Sequence, residues 1–85
     1  MSYEVIVPKR VAKQILALPQ HMYDRIRESL DALAQQPRPD GVKKLKGETN
    51  AYRVRVGNYR IVYVVDDGAQ QVQVLDVDHR KDVYR

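Results

Sequence analysis

Tyr52-Arg53-Val54-Arg55-Val56-Gly57-Asn58-Tyr59-Arg60-Ile61-Val62-Tyr63-Val64-Val65 is the stretch that decides the fold. Residues 52–56 alternate strictly between large or β-branched and charged side chains, the period of a half-buried strand. Gly57-Asn58 is a two-residue hairpin signal. Residues 59–65 then return as a more apolar strand, suited to the middle of a sheet. With the turn centred on Gly57-Asn58, Val56 lies opposite Tyr59, Arg55 opposite Arg60, Val54 opposite Ile61 and Arg53 opposite Val62. One face then carries Val54, Val56, Tyr59 and Ile61, and the other carries Arg53, Arg55 and Arg60.

Working outward, Asp66-Asp67-Gly68 turns the chain, and residues 71–77 form a further strand. The tail, residues 78–85, is polar with one aromatic, Tyr84. Upstream, Gln36-Pro37-Arg38-Pro39-Asp40-Gly41 breaks helicity and opens a loop extending to Asn50. Before it, Met22, Ile26, Leu30 and Leu33 mark the buried stripe of a helix over 20–35, with Arg25, Arg27, Glu28 and Asp31 mostly on its outer face, and Val11, Ile15 and Leu18 mark that of a helix over 9–18. Pro19 separates the two. The segment 3–7, closed by Pro8, reads as a first strand. The expected fold class is α+β in the order β-α-α-β-β-β. A two-helix hairpin packs on one face of a twisted antiparallel sheet and leaves the other face to solvent. The edge taken by the first strand stays open.

A chain of 85 residues has room for one domain, 1–85, with one small core. Hydrophobic residues at 44% and charged residues at 31% suit a globular protein and exclude disorder. No apolar run approaches the roughly 18 residues of a membrane span, and the start, Met-Ser-Tyr-Glu, has no signal-peptide pattern. With no cysteine, disulfides and thiolate metal sites are excluded, and the cytoplasm is the expected compartment. Two distant histidines, His21 and His79, give a metal little to bind. His21, near the start of the second helix, reads as structural or solvent-facing. No phosphate-loop or dinucleotide fingerprint is present.

The net charge is +4 and unevenly spread. Residues 43–60 contain Lys43, Lys44, Lys46, Arg53, Arg55 and Arg60 against Glu48 alone, whereas residues 61–78 contain four aspartates and no Lys or Arg. Such a block suggests an anionic partner, nucleic acid first. Arg55 opposite Arg60 is a like-charge cross-strand pair, unfavourable by under about 1 kcal/mol. Three guanidinium groups on one face make a fork-rich receptor suited to phosphate. Alternating arginines also serve as solubilising charge, or pair with carboxylates of the next strand, here Asp76 and Asp78.

Taken together, Leu18-Pro19, Pro37, Lys44-Leu45-Lys46-Gly47, the stretch 52–63 and Val77-Asp78-His79-Arg80-Lys81-Asp82-Val83-Tyr84-Arg85 resemble the RelE/ParE superfamily of type II toxin–antitoxin toxins. The resemblance spans nearly the whole chain. It implies a ribosome-dependent endoribonuclease that cuts mRNA, held in a hetero-oligomeric complex with a cognate antitoxin. In that likeness Arg60 matches the phosphate-binding arginine and Arg80 the arginine of the last strand. Tyr84 matches the C-terminal tyrosine that orients or stacks on RNA, and Arg53 and Arg55 match basic strand positions. Lys43, Lys44 and Lys46 are candidate contacts to RNA.

The implied chemistry needs neither metal nor cofactor. The RNA 2′-hydroxyl attacks the adjacent phosphate, which requires a proton acceptor, charge stabilisation at phosphorus and a donor to the departing 5′-oxygen. Arginine stays protonated, so Arg53 and Arg55 are poor bases where relatives carry lysine. His79, Tyr84, Glu48 or a ribosomal group remain as the acceptor, with His79 the best-matched titrating side chain. Two alternatives share the fold: a ParE-like inhibitor of DNA gyrase without nuclease activity, and an inactive relative that only binds antitoxin.

Overall fold

The computed structural model describes residues 2–45, 47 and 50–79. Arg80 and Tyr84, with Lys46 and Glu48, lie outside these residues. The elements are β1 (Glu4–Ile6), α1 (Lys9–Leu16), α2 (Gln20–Gln35), β2 (Lys43–Lys44), β3 (Ala51–Val56), β4 (Tyr59–Asp66) and β5 (Gln71–His79). They form one five-stranded sheet in the order β1-β5-β4-β3-β2. No helix among the described residues is long and apolar enough to cross a membrane.

The hairpin register is the one read from the sequence: Val56 faces Tyr59, Arg55 faces Arg60, Val54 faces Ile61 and Arg53 faces Val62. Gly57 supplies the left-handed residue of the turn at φ 61°. Val56, Ile61, Tyr63, Val65, Val72, Val74 and Val77 are buried on the sheet side of the core. Val11 and Ile15 of α1, and Met22, Ile26, Leu30 and Leu33 of α2, are buried against them.

Three features depart from the sequence reading. First, the sheet is mixed. β1 pairs parallel to β5, with Val5 beside Val72, while all other pairs are antiparallel. Second, the loop expected over 36–50 contains a short edge strand, β2, with Lys43 beside Arg53 and Lys44 beside Tyr52. Two residues rich in lysine give no periodicity to read, and this short charged edge also blunts further strand pairing. Third, α1 ends at Leu16 rather than Leu18. The ring of Pro19 disfavours a helical Leu18. The link closes with the Leu18 N–H on the Ile15 carbonyl at 3.1 Å, and the Pro19 carbonyl then accepts from Met22 and Tyr23 to start α2.

Beyond its short pairing with β1, β5 has an outer edge that α1 covers. Gln14 accepts a hydrogen bond from the Val77 N–H at 3.1 Å and donates to Asp76 at 2.9 Å. Arg10 donates to the Leu75 carbonyl and pairs with Asp76 at 3.5 Å. Side chains of a helix thus satisfy backbone groups that a further strand would otherwise take.

Candidate nucleic-acid interface

The register across β2, β3 and β4 gathers the cations of the open face. Lys43 sits beside Arg53, and two residues further along β3, Arg55 sits beside Arg60. Residues two apart on a strand share a face, so these four form one basic patch across three strands. Lys43 and Arg55 are exposed, and Arg53 and Arg60 are half-buried. Partial burial holds a guanidinium stem and leaves fewer rotamers to lose on binding a phosphate. Lys44 belongs to the opposite face, beside buried Tyr52.

β5 borders this patch and carries an irregularity. Val62 pairs with Asp76 and Tyr63 with Val74, which leaves Leu75 as the extra residue of a bulge. Strict alternation from buried Val72 and Val74 would turn His79 to the arginine side. The inserted residue reverses this: Asp78 lies beside Arg60, and His79 lies beside Tyr59 on the helix side. The Tyr59 and His79 rings meet edge to face with centroids 5.1 Å apart. The sheet therefore unites Arg53, Arg55 and Arg60, adds Lys43, and sets His79 on the other face.

Of the two carboxylates expected to pair with the arginines, Asp78 stands beside Arg60 in the register. Asp76 is directed to α1. Burial would raise its carboxyl, but hydrogen bonding with Asp78 and Gln14 and the charge of Arg10 hold it below the usual carboxylate range.

His79 and Tyr59 also line a cleft of about 340 Å³ between the start of α2 and the β3–β4 turn. Its other walls include His21, Met22, Arg25 and Gly57. Sequence reasoning placed Arg25 on the outer face of α2 and gave His21 no role with a partner. The signal that pointed to this cleft was Gly57, read only as a turn residue. A Cβ on Gly57 would stand 3.0 Å from Nη1 of Arg25 and 3.5 Å from Cε of Met22.

At the other end of the sheet, arginine is used differently. Arg38 donates to both carboxylate oxygens of Asp67, at 3.1 and 2.8 Å, and to the Tyr52 hydroxyl at 2.9 Å. Its guanidinium lies 5.2 Å from the centroid of the Tyr52 ring. Tyr3 donates to Asp67 at 2.7 Å. These hydrogen bonds, Arg38 first, hold the Asp67 carboxyl below its ordinary range and raise Arg38 in turn. Tyr63, fully buried, donates to the Pro37 carbonyl at 2.8 Å, and burial pushes its hydroxyl up to about 12.

A five-stranded sheet backed by two helices is the architecture of a known group of proteins. The sequence pattern of the ParE toxin of the type II toxin–antitoxin system parDE matches residues 5–84. The chain belongs to the RelE/ParE superfamily of type II toxins. Toxin RelE3 of Methanocaldococcus jannaschii is 33% identical, over 95% of this chain and 94% of its own length. The toxin fold superposes on the RelE–RelB complex of Pyrococcus horikoshii with a TM-score of 0.84 and 34% identity, covering 94% of this chain and 97% of that one. The RelBE2 toxin–antitoxin complex of Mycobacterium tuberculosis gives a TM-score of 0.81 and 28% identity, over 94% of this chain and all of that one. This RelE-like toxin shares their α+β architecture. Among its described residues, no group of three or more His, Asp or Glu is placed to hold a metal ion.

Proposed function

We propose that this toxin is a ribosome-dependent endoribonuclease that cleaves mRNA by attack of the 2′-hydroxyl on the adjacent phosphate. The observation that carries the reading is the convergence of Lys43, Arg53, Arg55 and Arg60 on one face of three adjacent strands. A phosphate gaining negative charge in the transition state is stabilised by fixed guanidinium donors. Arg60 is the central donor, with Arg55 across the strand from it and Arg53 and Lys43 along the incoming backbone. Arg80 and Tyr84 complete this site in the proposal, as a further phosphate contact and a stacking surface. His79, across the sheet from Arg55 and Arg60, is displaced as proton acceptor. Tyr84, Glu48 or a ribosomal group takes that role, and no metal or cofactor enters the chemistry.

The site works in the cytoplasm, where mRNA is translated, and is silenced by a cognate antitoxin in a hetero-oligomeric complex. Support for that partner comes from the relatives of Pyrococcus horikoshii and Mycobacterium tuberculosis, both complexes of toxin with antitoxin. The surface offers a mostly apolar groove of about 250 Å³, lined by Val7, Ala12, Ile15, Leu16, Tyr23 and Leu30 together with Arg27. Leu16 there is 71% exposed, a large apolar side chain suited to cover by an amphipathic antitoxin segment.

Purified toxin added to translating ribosomes tests the reading. The expected result is cut messenger ending in a 2′,3′-cyclic phosphate or its 3′-phosphate hydrolysis product. A 3′-hydroxyl end rules out the 2′-hydroxyl route, and uncut messenger rules out the nuclease. The match to the ParE pattern favours a second reading, inhibition of DNA gyrase. That activity gives DNA damage and filamentation on expression, with translation initially intact.

A further inference from the structure

The cleft between α2 and the β3–β4 turn has features the phosphate patch does not use. Its volume of about 340 Å³ is at the small end of ligand pockets, which begin near 300 Å³. The lining includes no carboxylate among the described residues. Three rings, His21, Tyr59 and His79, stand around it, with the Met22 side chain as an apolar wall. Arg25 contributes a guanidinium laid against the turn, in space that exists because residue 57 has no side chain. A cation fork beside several ring faces is the combination that binds phosphate and base together.

Position adds a second argument. Tyr59 faces the cleft, while the next residue, Arg60, faces the open side with Arg55. Their Cα atoms are about 3.8 Å apart. A single strand crossing the tip of the hairpin meets the basic patch on one side and the cleft on the other.

We infer that this cleft binds one nucleotide of single-stranded RNA next to the linkage held by Arg55 and Arg60. Arg25 takes the phosphate, and His21, Tyr59 and His79 take the base by ring contact. The inference rests on the endoribonuclease reading for the identity of the strand. It assigns to His79 contact with RNA in place of proton transfer.

The test is titration of the full-length toxin with each nucleoside 5′-monophosphate, followed by the imidazole NMR signals of His21 and His79. Saturable shifts of both are expected, with at least one monophosphate. Arg25→Ala should weaken that binding at least tenfold, and Arg25→Lys should restore only part of it, because lysine keeps charge without the fork. Lys9→Ala, which removes an exposed cation of α1 away from the cleft, should leave it within twofold. Absence of saturable shifts overturns the inference, as does equal binding by Arg25→Ala or an identical response to inorganic phosphate alone. Uncut messenger in the ribosome assay together with saturable shifts rejects the nuclease and retains the nucleotide site. Cut messenger without shifts does the reverse.

Discussion

The two ends of the sheet place arginine in opposite surroundings. At the Asp66 end of β4, one arginine, Arg38, is fastened in a bidentate pair with Asp67 and braced by Tyr52. At the Tyr59 end, Arg55 faces Arg60 directly, with Arg53 and Lys43 following on the same face. At the first end an ion pair ties the loop after α2 to the β4–β5 turn, and the Tyr3 hydroxyl, just before β1, joins them through Asp67. Like charges accumulate at the second, where stability alone disfavours them. The first end joins opposite charges in a bidentate pair, and the second sets like charges across a strand pair, with Asp78 of β5 beside Arg60.

Substitutions at the two ends should therefore separate activity from stability. The largest effect is expected from Arg60→Ala, a loss of about 10²–10³ in messenger cleavage, the size typical for one transition-state donor. Its thermal unfolding should stay near that of the parent, and full retained cleavage would remove Arg60 from the site. Tyr63→Phe at the other end should do the reverse. It leaves the buried Pro37 carbonyl without its donor and should cost roughly 1–3 kcal/mol by urea unfolding, with cleavage unchanged. An unaltered urea midpoint would show that water replaces the hydroxyl.

Titration sharpens the contrast from both sides. Asp67 and Asp76 titrate below their ordinary range when folded, so their stabilisation is present above about pH 4 and is lost as the pH falls further. Tyr63 goes the other way. Its hydroxyl stays neutral up to about 12 in the fold against about 10 when unfolded, so its contribution is full below pH 10 and fades between the two values. A shift of that size corresponds to roughly 2–3 kcal/mol. Unfolding followed by tyrosine absorbance should show a steep alkaline loss in that window, removed by Tyr63→Phe. The smallest effect is expected from Arg55→Gln. Removing the charge opposite Arg60 should leave the urea midpoint unchanged or raise stability by under about 1 kcal/mol, while cleavage falls. A clear loss of stability would mean that Arg55 is a fastening residue like Arg38.

The sequence was most readable where period and turn chemistry agreed. The alternation of 52–56, the Gly57-Asn58 turn and the heptad-like stripe of α2 led to the observed hairpin register and to a helix over 20–35. Family likeness in the same residues agreed with the fold and with the toxin family. What escaped was nonlocal. The bulge at Leu75 has no sequence mark, because it follows from how β5 fits both β4 and α1. It alone decides that His79 leaves the arginine side. The parallel docking of β1 was equally hidden, since one short apolar segment pairs as well either way. Arg25 was unremarkable on an outer helical face until the turn brought Gly57 beneath it.

The pairing of β1 with β5 joins residues 4–6 to residues 71–73. The strand β1 thus waits for a mate that lies 67 residues further along the chain, from Glu4 to Gln71. Synthesis proceeds at about 5–20 residues per second, and distant pairings are slow to form. A nascent copy lacks this closing seam until β5 has been made. A toxin built in this way closes its sheet only after the whole stretch from β1 to β5 has been synthesised.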